Sequence, residues 1–198
     1  SASKLGVGDD AAISHFSGEL DIISCVDTLC AGTHFSHDTP ARCIGHKALA
    51  VNLSDIAAMG AKPMQALLAL TTPKADEAWL KEFTTGFMAL AQAHHLDLIG
   101  GDLSQGPLSV TVTLIGTIAR DSSLLRSGAT AKQDIYVSGY LGEAACALAL
   151  QNNKNTPIPA TLLAHLQTPP PQLELGQALT SLASSCIDIS DGLMADLE

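Results

Sequence analysis

The sequence predicts an α/β protein. Strand-like and helix-like segments alternate along the first 121 residues, which is the pattern of helices packed on a sheet. Residues 110–118 alternate Val, Val and Leu with Thr at a period of two, as a half-buried strand does. Residues 44–59 have helical periodicity yet are apolar nearly all round (Ala48, Leu49, Ala50, Val51, Leu53, Ile56, Ala57, Ala58), so that helix is expected to be largely buried. These observations define an α/β sandwich domain over residues 1–121. A second unit, residues 122–198, opens at Arg126-Ser127-Gly128-Ala129.

Taken in order, residues 11–16 and 21–26 read as two strands around a Ser17-Gly18-Glu19 hairpin, the second ending at Asp27-Thr28. His34 falls in the loop beyond, either a loop histidine of no special role or a contact to an anion. Thr39 is the expected N-cap of the buried helix, with Pro40 in its first turn and Gly60 and Pro63 as its stop. Residues 66–70 form a strand. Residues 76–95 form a helix whose Trp79, Phe83, Phe87 and Leu90 share a core face. Residues 96–99 form a short strand entering a Gly100-Gly101-Asp102 loop. In the second unit, residues 135–138 and 186–189 read as strands and residues 143–150 and 173–184 as helices. A loop spans 151–159 and Thr168-Pro169-Pro170-Pro171 is a rigid connector.

Composition narrows the function. Hydrophobic residues make up 46% and charged residues 15%, which fits a folded domain rather than a disordered chain. A net charge of −10 without basic runs argues against nucleic-acid or anionic-membrane binding. Of 20 acidic residues 14 are Asp, the residue of turns, caps and oxygen-ligand metal sites rather than of solvated helix faces. Five cysteines without CxxC spacing suit free thiols in a reducing, cytoplasmic setting. No signal peptide and no long apolar run is seen. Both ends are expected to be cuts in a longer chain.

The aspartates recur in a pattern: Asp9-Asp10 in Gly-Val-Gly-Asp-Asp-Ala-Ala (6–12), Asp27 after a strand, Asp55 on the buried helix, Asp102 after two glycines, and Asp188 and Asp191 about a turn. Adjacent or buried carboxylates are costly without a positive partner. For Asp55 that partner is Lys47, a capping contact or a metal. Scattered hard carboxylates suit Mg²⁺ shared with substrate phosphates. No phosphate-binding GxxxxGK[ST] or GxGxxG loop is present, so metals must do much of the neutralising. An acidic Ca²⁺-binding or structural module, or unrelated turn aspartates, remain as other readings.

Six blocks in this order resemble the thiamine-monophosphate kinase family. They are residues 6–12, Val-Asp-Thr-Leu-Cys-Ala-Gly-Thr-His-Phe (26–35), Lys-Ala-Leu-Ala-Val-Asn-Leu-Ser-Asp-Ile-Ala-Ala-Met-Gly-Ala (47–61), Leu-Ile-Gly-Gly-Asp (98–102), Arg-Ser-Gly-Ala (126–129) and Ile-Asp-Ile-Ser-Asp-Gly-Leu (187–193). That family sits in a superfamily with aminoimidazole ribonucleotide synthetase, selenophosphate synthetase and the hydrogenase-maturation dehydratase.

The resemblance implies a two-domain synthetase-like fold. Its N-terminal mixed sheet, flanked by helices, would pair with a twin's as a barrel in a homodimer, and its second α/β domain would be truncated here. It implies Mg²⁺-dependent transfer of the ATP γ-phosphate to thiamine monophosphate, giving thiamine diphosphate and ADP, in the cytoplasm. The alternatives are another ATP-dependent member of the superfamily, or a non-catalytic metal- or nucleotide-binding fragment. By the same resemblance Asp10, Cys25, Val26, Asp27, Asp55, Asp102, Asp188 and Asp191 fall on metal positions for several Mg²⁺ ions. Gly101, Asp102, Arg126 and Ser190 fall on ATP positions and His34 on a substrate position. No residue acts as acid or base, because the acceptor phosphate is already anionic.

The sequence departs from the family at Cys25, where a hydroxyl residue is usual and a thiol is a poor Mg²⁺ ligand, so any contribution there is through the backbone. Gln172 follows Pro171 where Arg is common, and Lys132-Gln133 precedes Asp134 where Gly is usual. Family members extend well over a hundred residues past the Asp-Gly-Leu block, so this chain alone is expected to lack some substrate contacts.

Overall fold

The computed structural model describes residues 3–5, 9–15, 18–152 and 156–198. Gly6, Val7 and Gly8 of the expected Gly-Asp-Asp turn, Phe16 and Ser17 of the expected hairpin, and residues 153–155 of the expected loop lie outside the described residues. The strands are β1 (Ser3–Leu5), β2 (Ala12–His15), β3 (Leu20–Cys30), β4 (Lys62–Thr72), β5 (Asp97–Gln105) and β6 (Ser109–Ala119). The helices are α1 (Ala41–Ala58), α2 (Glu77–Ala93), α3 (Glu143–Asn152), α4 (Ala160–Gln167), α5 (Leu173–Leu179) and α6 (Leu193–Leu197). The strands form one mixed sheet in the order β1-β2-β3-β6-β4-β5, with β4 and β5 parallel and every other pair antiparallel. The parallel pair is joined by α2, as a parallel connection requires a crossover.

One face of the sheet is covered. Ile23, Val110, Val112 and Leu114 point to α1, whose Leu49, Leu53 and Ile56 are fully buried, as is Met59 just past its end. The reason α1 is apolar on nearly every side is its position: it contacts β3, β4 and β6, and also α2, α4 and α5. Two glycines let α1 and α2 approach closely. A Cβ at Gly45 would stand 2.1 Å from the Phe83 carbonyl oxygen, and one at Gly86 would stand 1.9 Å from that of Arg42. Phe83 and Phe87 stack at 6.4 Å beside this crossing, and the Asp76 carboxylate caps α2 by accepting the Trp79 N–H.

The other face carries no helix among the described residues. It presents Leu20, Val26 and Leu67 to solvent, and a Thr28–Thr111 hydroxyl hydrogen bond at 2.8 Å. Strands with one face buried alternate in burial, and β6 does so along nearly its whole length.

Several boundaries differ from the sequence reading. β3 runs on through Asp27 and Thr28 to Cys30, because β6 pairs with it over all eleven residues. Gly100-Gly101-Asp102 is not a loop but the middle of β5, laid parallel on β4 with Gly101 opposite Leu68. There a Cβ would meet the Leu68 carbonyl oxygen at 1.8 Å, so glycine is what allows the pairing. The N-cap of α1 is Pro40, with no side-chain cap, rather than Thr39, and α1 begins at Ala41. α4 was not anticipated, and α5 ends at Leu179 instead of continuing to 184. Residues 135–138 and 186–189 are not strands: no described strand lies beside either to complete a ladder, and a lone strand leaves its backbone groups unpaired.

Candidate active site

The site is built where the end of α1 meets four other segments. The β2–β3 ladder ends at the Ala12–Ser24 pair, and its antiparallel register directs the preceding residues toward the 25–27 stretch of β3. The Leu124 N–H bonds to the Met59 carbonyl just past α1, and the Cys186 N–H to the Leu125 carbonyl. Residues 9–10, 25–27, 55, 124–126 and 186–188 therefore converge from distant parts of the sequence.

At their meeting point the carboxylates of Asp10, Asp55 and Asp188 each offer an oxygen within 4.8 Å of the others. Like charges this close raise one another's pKa, and burial raises them further. Burial, resisted by the Arg126 guanidinium and aided by Asp188, pushes the Asp10 carboxyl up to about 6. Burial together with Asp188 and Asp27 pushes Asp55 up to about 8. Asp27 is raised by burial too, though its contacts with Asp55 and His34 oppose the rise. Arg126 donates from Nε to Asp10 Oδ1 at 3.1 Å and from Nη2 to the same oxygen. The other oxygen, Asp10 Oδ2, is buried without a hydrogen-bond partner.

Such a donor set fits a hard divalent cation. It offers only oxygen ligands, they are mutually repulsive without a cation, and one is an orphaned buried oxygen.

The remaining predicted residues sort by position. The Lys47 alternative for Asp55 does not hold: Lys47 Nζ donates to the His34 carbonyl at 2.9 Å. Cys25 is buried, and its thiol faces the Asn52 carbonyl and side-chain oxygens at 3.5 and 3.7 Å. Burial and the neighbouring Asp55 hold that thiol well above its usual pKa, so it is not a thiolate ligand. The Val26 side chain stands on the open face, leaving only its backbone near the cluster. His34 Nδ1 accepts the Cys30 N–H at 2.9 Å, which puts the proton of the neutral ring on Nε2.

Asp102 lies elsewhere. It stands opposite Ala69, which stands opposite Thr111, whose partner is Thr28. Asp27 is one residue before Thr28 and shares the helix-covered side with buried Val112. Asp102 is thus on the opposite face and three strand spacings away, ~14 Å. Its carboxylate accepts the Ser104 hydroxyl at 2.6 Å. Asp191 is exposed and outside the trio; its backbone N–H, with those of Ser190 and Gly192, bonds Asp196 Oδ2. The Ser190 hydroxyl faces Asp188 Oδ1 at 3.5 Å. Asn52, which shares a face of the buried helix with Asp55, and Asp196 lie outside the expected set of site residues. Asn52 had a signal, a polar residue three positions from Asp55 on an apolar helix; Asp196 had none.

Comparison with known proteins agrees with this architecture. The thiamine-monophosphate kinase of Escherichia coli K12 is 43% identical over 98% of this chain and 61% of its own length. The crystal structure of thiamine-monophosphate kinase from Stenotrophomonas maltophilia K279a superposes with a TM-score of 0.88 at 44% identity, over 99% of this chain and 65% of that one. A structure of AaThiL complexed with AMPPCP and TMP gives a TM-score of 0.89 at 27% identity, over 96% of this chain and 62% of that one. The chain spans about three fifths of the length of the curated relatives it matches. The sequence model of the AIR synthase related protein, N-terminal domain, matches residues 8–118, more than half of the chain. By that match the chain belongs to the AIR synthase related protein family.

Proposed function

We propose that this chain is the larger part of a Mg²⁺-dependent kinase that moves the γ-phosphate of ATP onto thiamine monophosphate. The observation that carries the proposal is the Asp10–Asp55–Asp188 trio with its unpartnered buried oxygen, set beside Arg126. The likeness to thiamine-monophosphate kinases selects the substrates within that chemistry.

In this reading Asp10, Asp55 and Asp188 hold Mg²⁺, with Asp27 and the backbone of Cys25 and Val26 alongside. When bound, Mg²⁺ supplies positive charge against the repulsion of two phosphates. The chain's own residues bind and orient. Arg126 turns its guanidinium from Asp10 toward a nucleotide phosphate, and Ser190 offers a hydroxyl there. His34 presents Nε2–H to the acceptor. No side chain has to remove a proton, since the attacking oxygen is already anionic.

Gly101 and Asp102 enter this reading through a homodimer. On one chain Asp102 is on the wrong sheet face to reach the trio. A second copy packed on the open face, over Leu20, Val26 and Leu67, would set its own Asp102 against β3 from the open side, next to the Val26 backbone that borders the cluster. The division into units at 121/122 and the cytoplasmic setting belong to the same proposal; all five cysteines are free.

The test is direct. Full-length protein with ATP, Mg²⁺ and thiamine monophosphate is expected to yield ADP and thiamine diphosphate in equal amounts. ADP without thiamine diphosphate, or no turnover in the wild type, removes the proposal.

A further inference from the structure

Asp9 stands outside the converging trio, yet both of its carboxylate oxygens are engaged. Oδ1 accepts the Asp10 N–H at 2.9 Å, and Oδ2 accepts the Arg126 N–H at 3.1 Å. The first bond is local, as in many turns. The second reaches a segment more than a hundred residues away, which no turn requires. The two residues whose backbones Asp9 grips are the same two whose side chains meet, Arg126 Nε and Nη2 on Asp10 Oδ1.

We propose that Asp9 is a positioning residue for the cation site, an inference that rests on the metal reading above. Its carboxylate staples the backbone of residue 10 to that of residue 126. The staple keeps Asp10 within reach of Asp55 and Asp188 and holds Arg126 on one oxygen only, leaving Oδ2 for a cation. An aspartate suits this task because an ionised carboxylate accepts at both oxygens, whereas an amide accepts at one and donates at the other position. With both oxygens turned to N–H groups, Asp9 takes the positioning role and Asp10, whose Oδ2 has no hydrogen-bond partner, the ligand role. This separates the two neighbours of the Asp-Asp pair: one binds, the other aims it. Groups that orient ligands in this way commonly set affinity as strongly as the ligands do.

The experiment titrates metal-free protein with Mn²⁺, a paramagnetic probe that takes the same oxygen ligands, in the wild type, Asp9→Asn, Asp9→Ala and Asp188→Asn. Asp9→Asn keeps shape and volume, so the fold is retained. Both Asp9 variants are expected to bind Mn²⁺ about tenfold or more weakly. The Arg126 backbone N–H is expected to exchange with deuterium faster, while amides within α1 keep their protection, a combination that general destabilisation would not give. Mn²⁺ binding by Asp9→Asn within about twofold of the wild type, with Asp188→Asn weakened as ligand loss requires, overturns the Asp9 inference alone. A wild type that takes up no Mn²⁺ overturns the site reading, and this inference with it.

Discussion

Asp55 makes the fold of the metal-free protein weaken as pH rises through neutrality. Its carboxyl is raised from the ordinary 3.8 to about 8, first by burial and then by Asp188 and Asp27. A carboxyl raised by folding takes up a proton on folding. Its contribution is therefore complete below the unfolded value and is lost as pH climbs through the folded value. Between pH 6.5 and 8 Asp27, also raised by burial, adds to the same trend, and Lys47, lowered by burial, opposes it. Asp10 is raised only to about 6, so it has largely ionised by then. His94, lowered by burial, opposes the trend only below its ordinary 6.5. Asp76, held below the usual range by the Trp79 N–H and Lys74, acts only in acid. Each pH unit on one group is ~1.4 kcal/mol, so stability is expected to fall by ~2 kcal/mol across this window. In a chain of this size that is a melting temperature lower by about 4–8 °C. Thermal melts followed by circular dichroism, in chelator, check it. Asp55→Asn keeps the shape without the titration and is expected to flatten the slope and to melt higher than wild type at pH 8. Excess Mg²⁺, binding the ionised trio, is expected to restore the wild type at pH 8 by ~3 kcal/mol at a hundredfold excess over its dissociation constant. A metal-free melting temperature that is flat or rising from pH 6.5 to 8, or the same slope in Asp55→Asn, refutes the reasoning.

Three further outcomes are expected. Gly45→Ala forces a methyl to within 2.1 Å of the Phe83 carbonyl oxygen, so α1 and α2 must separate; urea unfolding should show a loss of about 3 kcal/mol. Phe83→Ala empties a fully buried ring site beside the same crossing and should cost about 3–5 kcal/mol by the same measurement. Asp102→Asn and Asp188→Asn are each expected to abolish turnover in the full-length protein without lowering the melting temperature. If Asp102 serves the trio of a second copy, mixing the two inactive variants under conditions of subunit exchange restores activity, since one site of each mixed dimer is intact. Mixtures that stay inactive while exchanging subunits place Asp102 outside a shared site.

The sheet was legible where burial differs between its faces. β6 shows its alternation because α1 covers one side and none of the other helices covers the opposite one. Only the start of β5, at residues 97–99, was legible; the rest was not, since it is an edge strand exposed along its whole length and carries two glycines, so neither periodicity nor propensity marks it. Residues 135–138 and 186–189 failed the other way. Their composition suits strands, but a strand needs a neighbour, and pairing is not written locally. The aspartates were legible as a group because Asp beside Gly, or on a buried helix, is chemically conspicuous. Which of them meet was not legible. Asp27 and Asp102 look alike in sequence, yet sheet parity puts them on opposite faces. Asp9 and Asp10 are adjacent, yet one caps backbone N–H groups and the other enters the cluster.

Asp55 shows why the cluster is a binding arrangement and not a folding one. A carboxylate taken largely out of water, as the half-buried Asp55 is, is normally retained with a cation beside it, because leaving it unpaired is costly. Lys47, eight residues earlier on the same helix, could have served, but its ammonium goes to the His34 carbonyl. Among the described residues, the one cation bonded to the trio is Arg126, and both of its side-chain bonds go to a single oxygen of Asp10. Asp55 and Asp188 are left facing each other and Asp10, and the fold tolerates them by keeping protons on the raised groups. Replacing the trio with apolar residues would remove that cost. Its retention in the core-facing end of α1 is accounted for by a cation that arrives from outside, which is also why the stability lost between pH 6.5 and 8 should return when Mg²⁺ is supplied.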